Sequence, residues 1–185
     1  MDHLGVSVGQ SRSKEQLFKT VRVIGSGSFG EVELCERRED GRTFAIKFLM
    51  ANNPMMIDGI KQEVQSMLGM NSPYVIELVD HFYDEQLNAY VLVMPFYACG
   101  SLESRMEKEW ELDELLLFAY QTARGLLQME ERRYLHLDIK PANILLQGDH
   151  QYVLCDLGCA RRIDSVGNLA MSIMNMSCHM NVFHS

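Results

Sequence analysis

His136-Leu137-Asp138-Ile139-Lys140-Pro141-Ala142-Asn143-Ile144-Leu145-Leu146, followed by Cys155-Asp156-Leu157-Gly158, is the part of the sequence whose reading decides the rest. Asp156 stands eighteen residues after Asp138, and short β-like runs at 144–146 and 152–154 alternate with turns between them. Two aspartates, one asparagine and one lysine at these spacings suit metal-assisted phosphoryl transfer. Asp156 can bridge Mg2+ to phosphates, and Asn143 can hold a second Mg2+. Asp138 can orient a hydroxyl and take its proton, while Lys140 can offset charge on the group being transferred.

Upstream, Gly25-Ser26-Gly27-Ser28-Phe29-Gly30-Glu31-Val32 lies between two alternating runs, 18–24 and 31–35, which read as a hairpin around a glycine loop. Glycines let backbone amides approach phosphate oxygens, because no Cβ stands between them. By itself the loop reads equally well as a plain glycine-rich hairpin, and its strand-to-strand setting disfavours a Rossmann or P-loop reading. Lys47 follows Gly30 by seventeen residues, on an apolar strand predicted over 43–48. An ammonium placed there in a cleft needs an anion, which phosphate would supply and a carboxylate on the next helix would steady. Asp58 and Glu63 compete for that second role, with a solvated helix charge as the bland alternative.

Other elements follow from periodicity. Ile60, Val64, Met67 and Leu68 predict an amphipathic helix over 58–69. Strands are predicted over 75–83 and 89–96, the second almost wholly apolar and so buried. The strongest helical pattern is 112–133, where Leu112, Leu115, Leu116, Ala119, Thr122, Ala123, Leu126 and Leu127 form one broad apolar face. The first half is therefore β-rich and the second helical.

These motifs, in this order, resemble a eukaryotic protein-kinase catalytic domain over residues 18 to 163, about four fifths of the chain. The resemblance implies an α+β bilobal fold: a five-stranded antiparallel N-lobe with one helix (about 18–94) and a truncated, mainly helical C-lobe (about 98–163). It implies ATP and Mg2+ as cofactors, a protein hydroxyl as acceptor, and phosphate-cradling roles for Gly25, Gly27 and Gly30. It selects Glu63 as the partner of Lys47. Segment 92–97 resembles the hinge, with Met94 as gatekeeper and backbone near Pro95 to Tyr97 holding adenine between Val32, Ala45 and Leu145. Leu78, Met67, His136 and Leu157 would form an apolar spine joining the lobes, which makes His136 a spine residue rather than a base. Lys140 with Pro141-Ala142-Asn143 is closer to the serine/threonine pattern than to the usual tyrosine-kinase one.

The sequence departs from the family pattern at Leu137, where Arg is common, and at Leu157, where Phe is common. Leucine cannot pair with a phosphorylated activation loop, so activity should not depend on that switch. The combination resembles Wee-type kinases, and its first half also Mos-type kinases, which leaves a tyrosine acceptor open. Kinase domains usually need roughly 250 residues, whereas the sequence stops 27 residues after Gly158 with no Ala-Pro-Glu equivalent. The expectation is that the substrate platform is missing and that the apolar face of 112–127 loses cover, leaving a patch for a protein partner. Leu169, Ile173, Met176 and Met180 of the Met-rich tail, 164–185, fall at helical spacing and could supply that cover. Apolar sequence from a truncated message is the alternative. A second function class stays open on the same ground: a nucleotide-binding or interaction module without transfer.

Composition sets the outer bounds. Of 185 residues, 47% are hydrophobic and 23% charged, which excludes a disordered tail, a collagen-like fibre or a low-complexity scaffold. A net charge of −8 argues against broad binding to nucleic acid or anionic membrane, though not against a local basic pocket. No run approaches the ~20 apolar residues that cross a bilayer, and residues 1–17 read as a polar, frayed leader without a secretory signal. Five unclustered cysteines fit free thiols in a reducing, cytoplasmic or nuclear setting. Cys155, Cys159, Cys178, His179 and His184 lack the spacing of a zinc site and read as ordinary thiols and imidazoles.

Overall fold

Period-two alternation turns the first half of the chain into a sheet. In the computed structural model, which describes residues 12–27, 30–50, 54–148 and 150–163, a short helix α1 (Lys14–Leu17) leads into strands β1 (Phe18–Gly27), β2 (Gly30–Arg37) and β3 (Thr43–Met50). Helix α2 (Pro54–Met67) and strands β4 (Asp80–Asp84) and β5 (Ala89–Pro95) complete the lobe. The five strands pair antiparallel in the order β1-β2-β3-β5-β4. Along β3, Phe44 and Ile46 join Phe18, Cys35, Phe82, Val91 and Val93 in one cluster. Leu49 belongs with Tyr90 and Leu92 to a second cluster that takes in Ile60, Val64 and Met67 of α2. Burying each such side chain contributes roughly 1.5–3 kcal/mol, and the pleat directs alternate residues to the two clusters.

The second lobe is built on helix α3 (Leu112–Glu131), with β6 (Tyr134–Leu135), β7 (Ile144–Gln147), β8 (Gln151–Leu154) and β9 (Arg161–Arg162) after it. β6 pairs with β9 and β7 with β8, both antiparallel. Short 3-10 turns stand at Leu102–Arg105, Pro141–Asn143 and Leu157–Cys159. Trp110, Phe118 and Tyr152 pack together where α3 meets β8, Trp110 stacked on Tyr152 and Phe118 edge-on to it. Gly125 is where α3 comes closest to its neighbours. A Cβ there would lie 2.8 Å from the Tyr74 carbonyl oxygen and 2.9 Å from Leu154 Cδ1, so the approach requires glycine.

Sequence expectations are corrected in places. The strand predicted over 75–83 begins only at Asp80. Val75 and Ile76 are apolar because they cross to the second lobe: Ile76 N–H donates to Leu154 O at 2.8 Å, and Leu154 N–H donates to Tyr74 O at 2.9 Å. Residues 12–17, read as part of a frayed leader, pack on the sheet. Lys14 is buried, its N–H donates to Asp84 Oδ2 at 2.7 Å, and its ammonium sits 2.9 Å from Glu33. Arg12 pairs with Asp80 and lies over the Phe82 ring. Helix α3 buries Gln121, Gly125 and Met129. Of the apolar face read from sequence, only Thr122 and Leu126 are half-buried, and the other six residues are exposed. Helix α2 starts four residues earlier than predicted, with a proline at its first position, where a missing N–H costs nothing.

Candidate active site

A cleft of about 610 Å3 lies between the lobes. The sheet contributes Gly25, Gly30, Val32, Ala45, Lys47 and Met94, α2 contributes Glu63 and Met67, and the connection after β5 contributes Tyr97. Asn143, Leu145 and Asp156 line it from the second lobe. Strand register explains the grouping: Val32, Lys47 and Leu92 are successive cross-strand partners, as are Leu34, Ala45 and Met94, so each row presents its side chains on one face. Gly27 pairs with Gly30 at the open end of the hairpin. Gly30 has φ +136°, and a Cβ on it would fall 1.8 Å from the Phe48 carbonyl oxygen. Its glycine is thus required by the protein's own backbone.

Lys47 is the centre of the arrangement. Its Nζ lies 2.8 Å from Glu63 Oε1 and 2.8 Å from Asp156 Oδ1, joining β3, α2 and the second lobe. Burial acts most strongly on this ammonium and lowers its pKa, yet the two carboxylates together hold it above the ordinary lysine value. For Asp156 burial pushes upward, but Lys47 and the Gly158 N–H draw its carboxyl below the usual range. Burial pushes Glu63 up, against the pull of Lys47. Lys47 therefore stays cationic and Asp156 anionic at neutral pH. Breaking one partner from such a buried set costs about 3–5 kcal/mol. Asp156 adopts the left-handed region, φ 58° and ψ 71°, which aims its carboxylate at Lys47. Gly158 completes the turn, and a Cβ there would stand 3.3 Å from Glu63 Oε2 and 3.4 Å from Asp156 Oδ1.

Asp138, Lys140 and Asn143 form a second group. Lys140 Nζ and Asn143 Nδ2 each donate to Asp138 Oδ2 at 2.8 Å, and Asn143 Nδ2 also donates to the Asp138 carbonyl at 2.9 Å. Its hydrogen bond to the Asp138 carboxylate, the largest influence, raises the pKa of Lys140. His136 ties the two groups together: its Nε2 meets Cys155 O at 3.0 Å, and Asp138 N–H donates to its Nδ1 at 3.4 Å. Burial lowers the pKa of this imidazole, and with both nitrogens engaged it is a neutral strut. Leu137 between them is left-handed, φ 64°, a conformation that costs a bulky residue on the order of 1–3 kcal/mol.

Asp156 and Asn143 offer hard oxygen donors on one wall of the cleft. Magnesium is usually held by one or two protein carboxylates together with phosphate oxygens and waters, so these residues fit that ion. Among the described residues, no group of three or more His, Cys, Asp or Glu side chains is placed to hold a metal by itself. Burial pushes the Cys155 thiol up to about 12 and also raises Cys159. Cys178, His179 and His184 lie outside the described residues. The cleft also contains Ile24, Ser101, Glu103 and Cys155, which sequence reasoning missed. Ile24 had a signal, as the last apolar residue before Gly25. Glu103 had none, since its place depends on the turn at Leu102–Arg105. No helix among the described residues is long and apolar enough to cross a membrane.

Comparison with known proteins agrees with this geometry. Residues 18–181 match the protein kinase domain family. The chain is 34% identical over 145 residues to myosin light chain kinase 3 from Rattus norvegicus, covering 76% of this chain and 18% of that protein. It is 29% identical over 168 residues to serine/threonine-protein kinase 36 from Pongo abelii, covering 89% of this chain and 12% of that one. The chain thus spans less than a fifth of the length of either curated relative. Among solved structures, a C. elegans twitchin kinase fragment, described as an autoregulated protein kinase with immunoglobulin domains, matches with a TM-score of 0.71 and 28% identity. That match covers 80% of this chain and 34% of the other.

Proposed function

The chain belongs to the protein kinase domain family, and on that premise we propose that it binds ATP in the interlobe cleft and transfers the γ-phosphoryl group to a serine or threonine hydroxyl of a protein. The observation that carries the reading is Lys47, an ammonium held 2.8 Å from carboxylates of both lobes at the centre of the cleft. A buried cation kept charged and rigid is what phosphate oxygens need, and Glu63 steadies it while they bind.

Each remaining residue has a role in this reading. Val32, Ala45 and Leu145 enclose the adenine, and backbone groups between Met94 and Tyr97 bond its edge. Gly25, Gly27 and Gly30 bring backbone amides to the phosphates. Asp156 and Asn143 hold magnesium, which when bound offsets the charge that spreads over the transferring group. Asp138 orients the acceptor hydroxyl and takes its proton, and Lys140 stabilises the phosphoryl oxygens. The acceptor class is supported by the name of the serine/threonine-protein kinase among the relatives and by the Lys140-Pro141-Ala142-Asn143 sequence.

Transfer of labelled phosphate from ATP with Mg2+ to a mixed protein substrate tests the proposal, with Asp138→Asn beside the wild type. Wild-type transfer to serine and threonine, reduced about a hundredfold or more in Asp138→Asn, is the expected result. Equal transfer by both proteins would refute the role of Asp138. No transfer by folded wild-type protein that still binds ATP would favour a nucleotide-binding interaction module.

A further inference from the structure

The outward face of α3 has no cover among the described residues. Leu112, Leu115, Leu116, Tyr120 and Leu127 are 44–69% exposed along one side of the helix, with exposed Ala123 between them. A contiguous apolar stripe of this length on a chain of −8 net charge marks a contact surface. We propose that its occupant is residues 164–185 of the same chain.

Position argues for that segment first. β9 runs antiparallel to β6, and Ile163 N–H donates to Arg133 O at 2.7 Å. The last described residue, Ile163, therefore stands beside the chain two positions past the end of α3, the end of the helix nearer Leu127. Length argues next. Twenty-two residues as a helix reach about 33 Å, against about 30 Å for the twenty of α3. Composition argues third. Asp164 is the segment's single charged residue, and Leu169, Ile173, Met176 and Met180 are spaced four, three and four apart, one face of a 3.6-residue period. Methionine is suited to an uneven surface of leucines, a tyrosine and an alanine, because its unbranched side chain fills irregular gaps. A tethered segment also meets the stripe at an effective concentration in about the millimolar range, which favours it over a second copy in dilute solution.

Hydrogen exchange on the full chain, read by mass spectrometry at two protein concentrations, tests this. The expected result is that amides of 169–180 exchange about tenfold or more slowly than in an unstructured peptide, equally at both concentrations. Leu116→Asp should abolish that protection while Val91 and Val93 of β5 keep theirs. Leu127→Asp, at the other end of the stripe, is read the same way and replaces Leu116→Asp if β5 loses protection. Free-peptide exchange of 169–180 in the wild type would overturn the proposal, as would protection unchanged by either substitution. Protection that rises with concentration, alongside a dimer in sedimentation, would assign the stripe to a second copy and equally overturn it.

Discussion

His136 shows how burial turns a titratable side chain into a structural one. The residue is 2% exposed, and its ring is bonded on one nitrogen to Cys155 O and on the other to Asp138 N–H. Protonation would add a hydrogen on Nδ1, where the Asp138 amide now donates, so burial and geometry both favour the neutral form. The sign of the pH effect follows. In the unfolded chain the imidazole titrates at about 6.5, above its lowered folded value, so the unfolded state binds the proton first as pH falls. This contribution to stability is complete above about pH 6.5 and is lost on acidification through the folded value. Denaturant melts of wild type and His136→Gln between about pH 5 and about pH 8 check it. The wild type should lose stability more steeply on acidification than the variant, and parallel slopes would contradict the neutral-strut assignment. The position of His136 two residues before Asp138 was legible in the sequence, but its bond to Cys155 O was not, because that depends on how the two motifs meet.

Among the elements, α3 depends on a single glycine. Gly125→Ala adds helix propensity of about 1 kcal/mol, but the new Cβ would meet the Tyr74 backbone oxygen at 2.8 Å, and that oxygen accepts Leu154 N–H. The overpacking cost of about 1–3 kcal/mol should prevail, lowering the midpoint of chemical denaturation; an unchanged or raised midpoint would show that the junction gives way. This junction also explains which elements could be read in advance. Strands β1 and β2 follow from alternation and β3 and β5 from short apolar runs, and each has neighbours within the sheet. The apolar run 75–79 looked the same but serves the interlobe connection through Ile76 and Leu154, and periodicity does not distinguish the two. Helix α3 was legible as a helix, whereas its buried side was not. Leu112, Leu115, Leu116 and Leu127 stand on its outward face, while the inward side uses Gln121, which donates to His150 O and accepts from Tyr152 N–H, together with Gly125 and Met129. Residues 12–17 were missed because Arg12 and Lys14 look like solvated charges until Asp80, Asp84 and Glu33 are placed beside them.

At the scale of the whole molecule, two lobes meet through the connection after β5, the hydrogen bonds of Leu154 with Tyr74 and Ile76, and the Lys47–Asp156 pair. The pair is the part that a nucleotide would engage. A chain of −8 net charge repels a polyanion at long range, so ATP would have to be bound by local groups, and Lys47 is held in place by carboxylates of both lobes. The Gly-rich hairpin, Lys47, the Asp138 loop and Asp156 were all legible as motifs, yet only the fold brings the first to the last across an interlobe cleft. Calorimetric titration of ATP into the protein, with and without Mg2+, tests the claim without requiring a protein substrate. Wild-type binding should strengthen with Mg2+, and Lys47→Ala should weaken it by about 2 kcal/mol or more, roughly thirtyfold. No binding by the folded wild type, or equal affinity in Lys47→Ala, would contradict the assignment of this cleft to nucleotide phosphates.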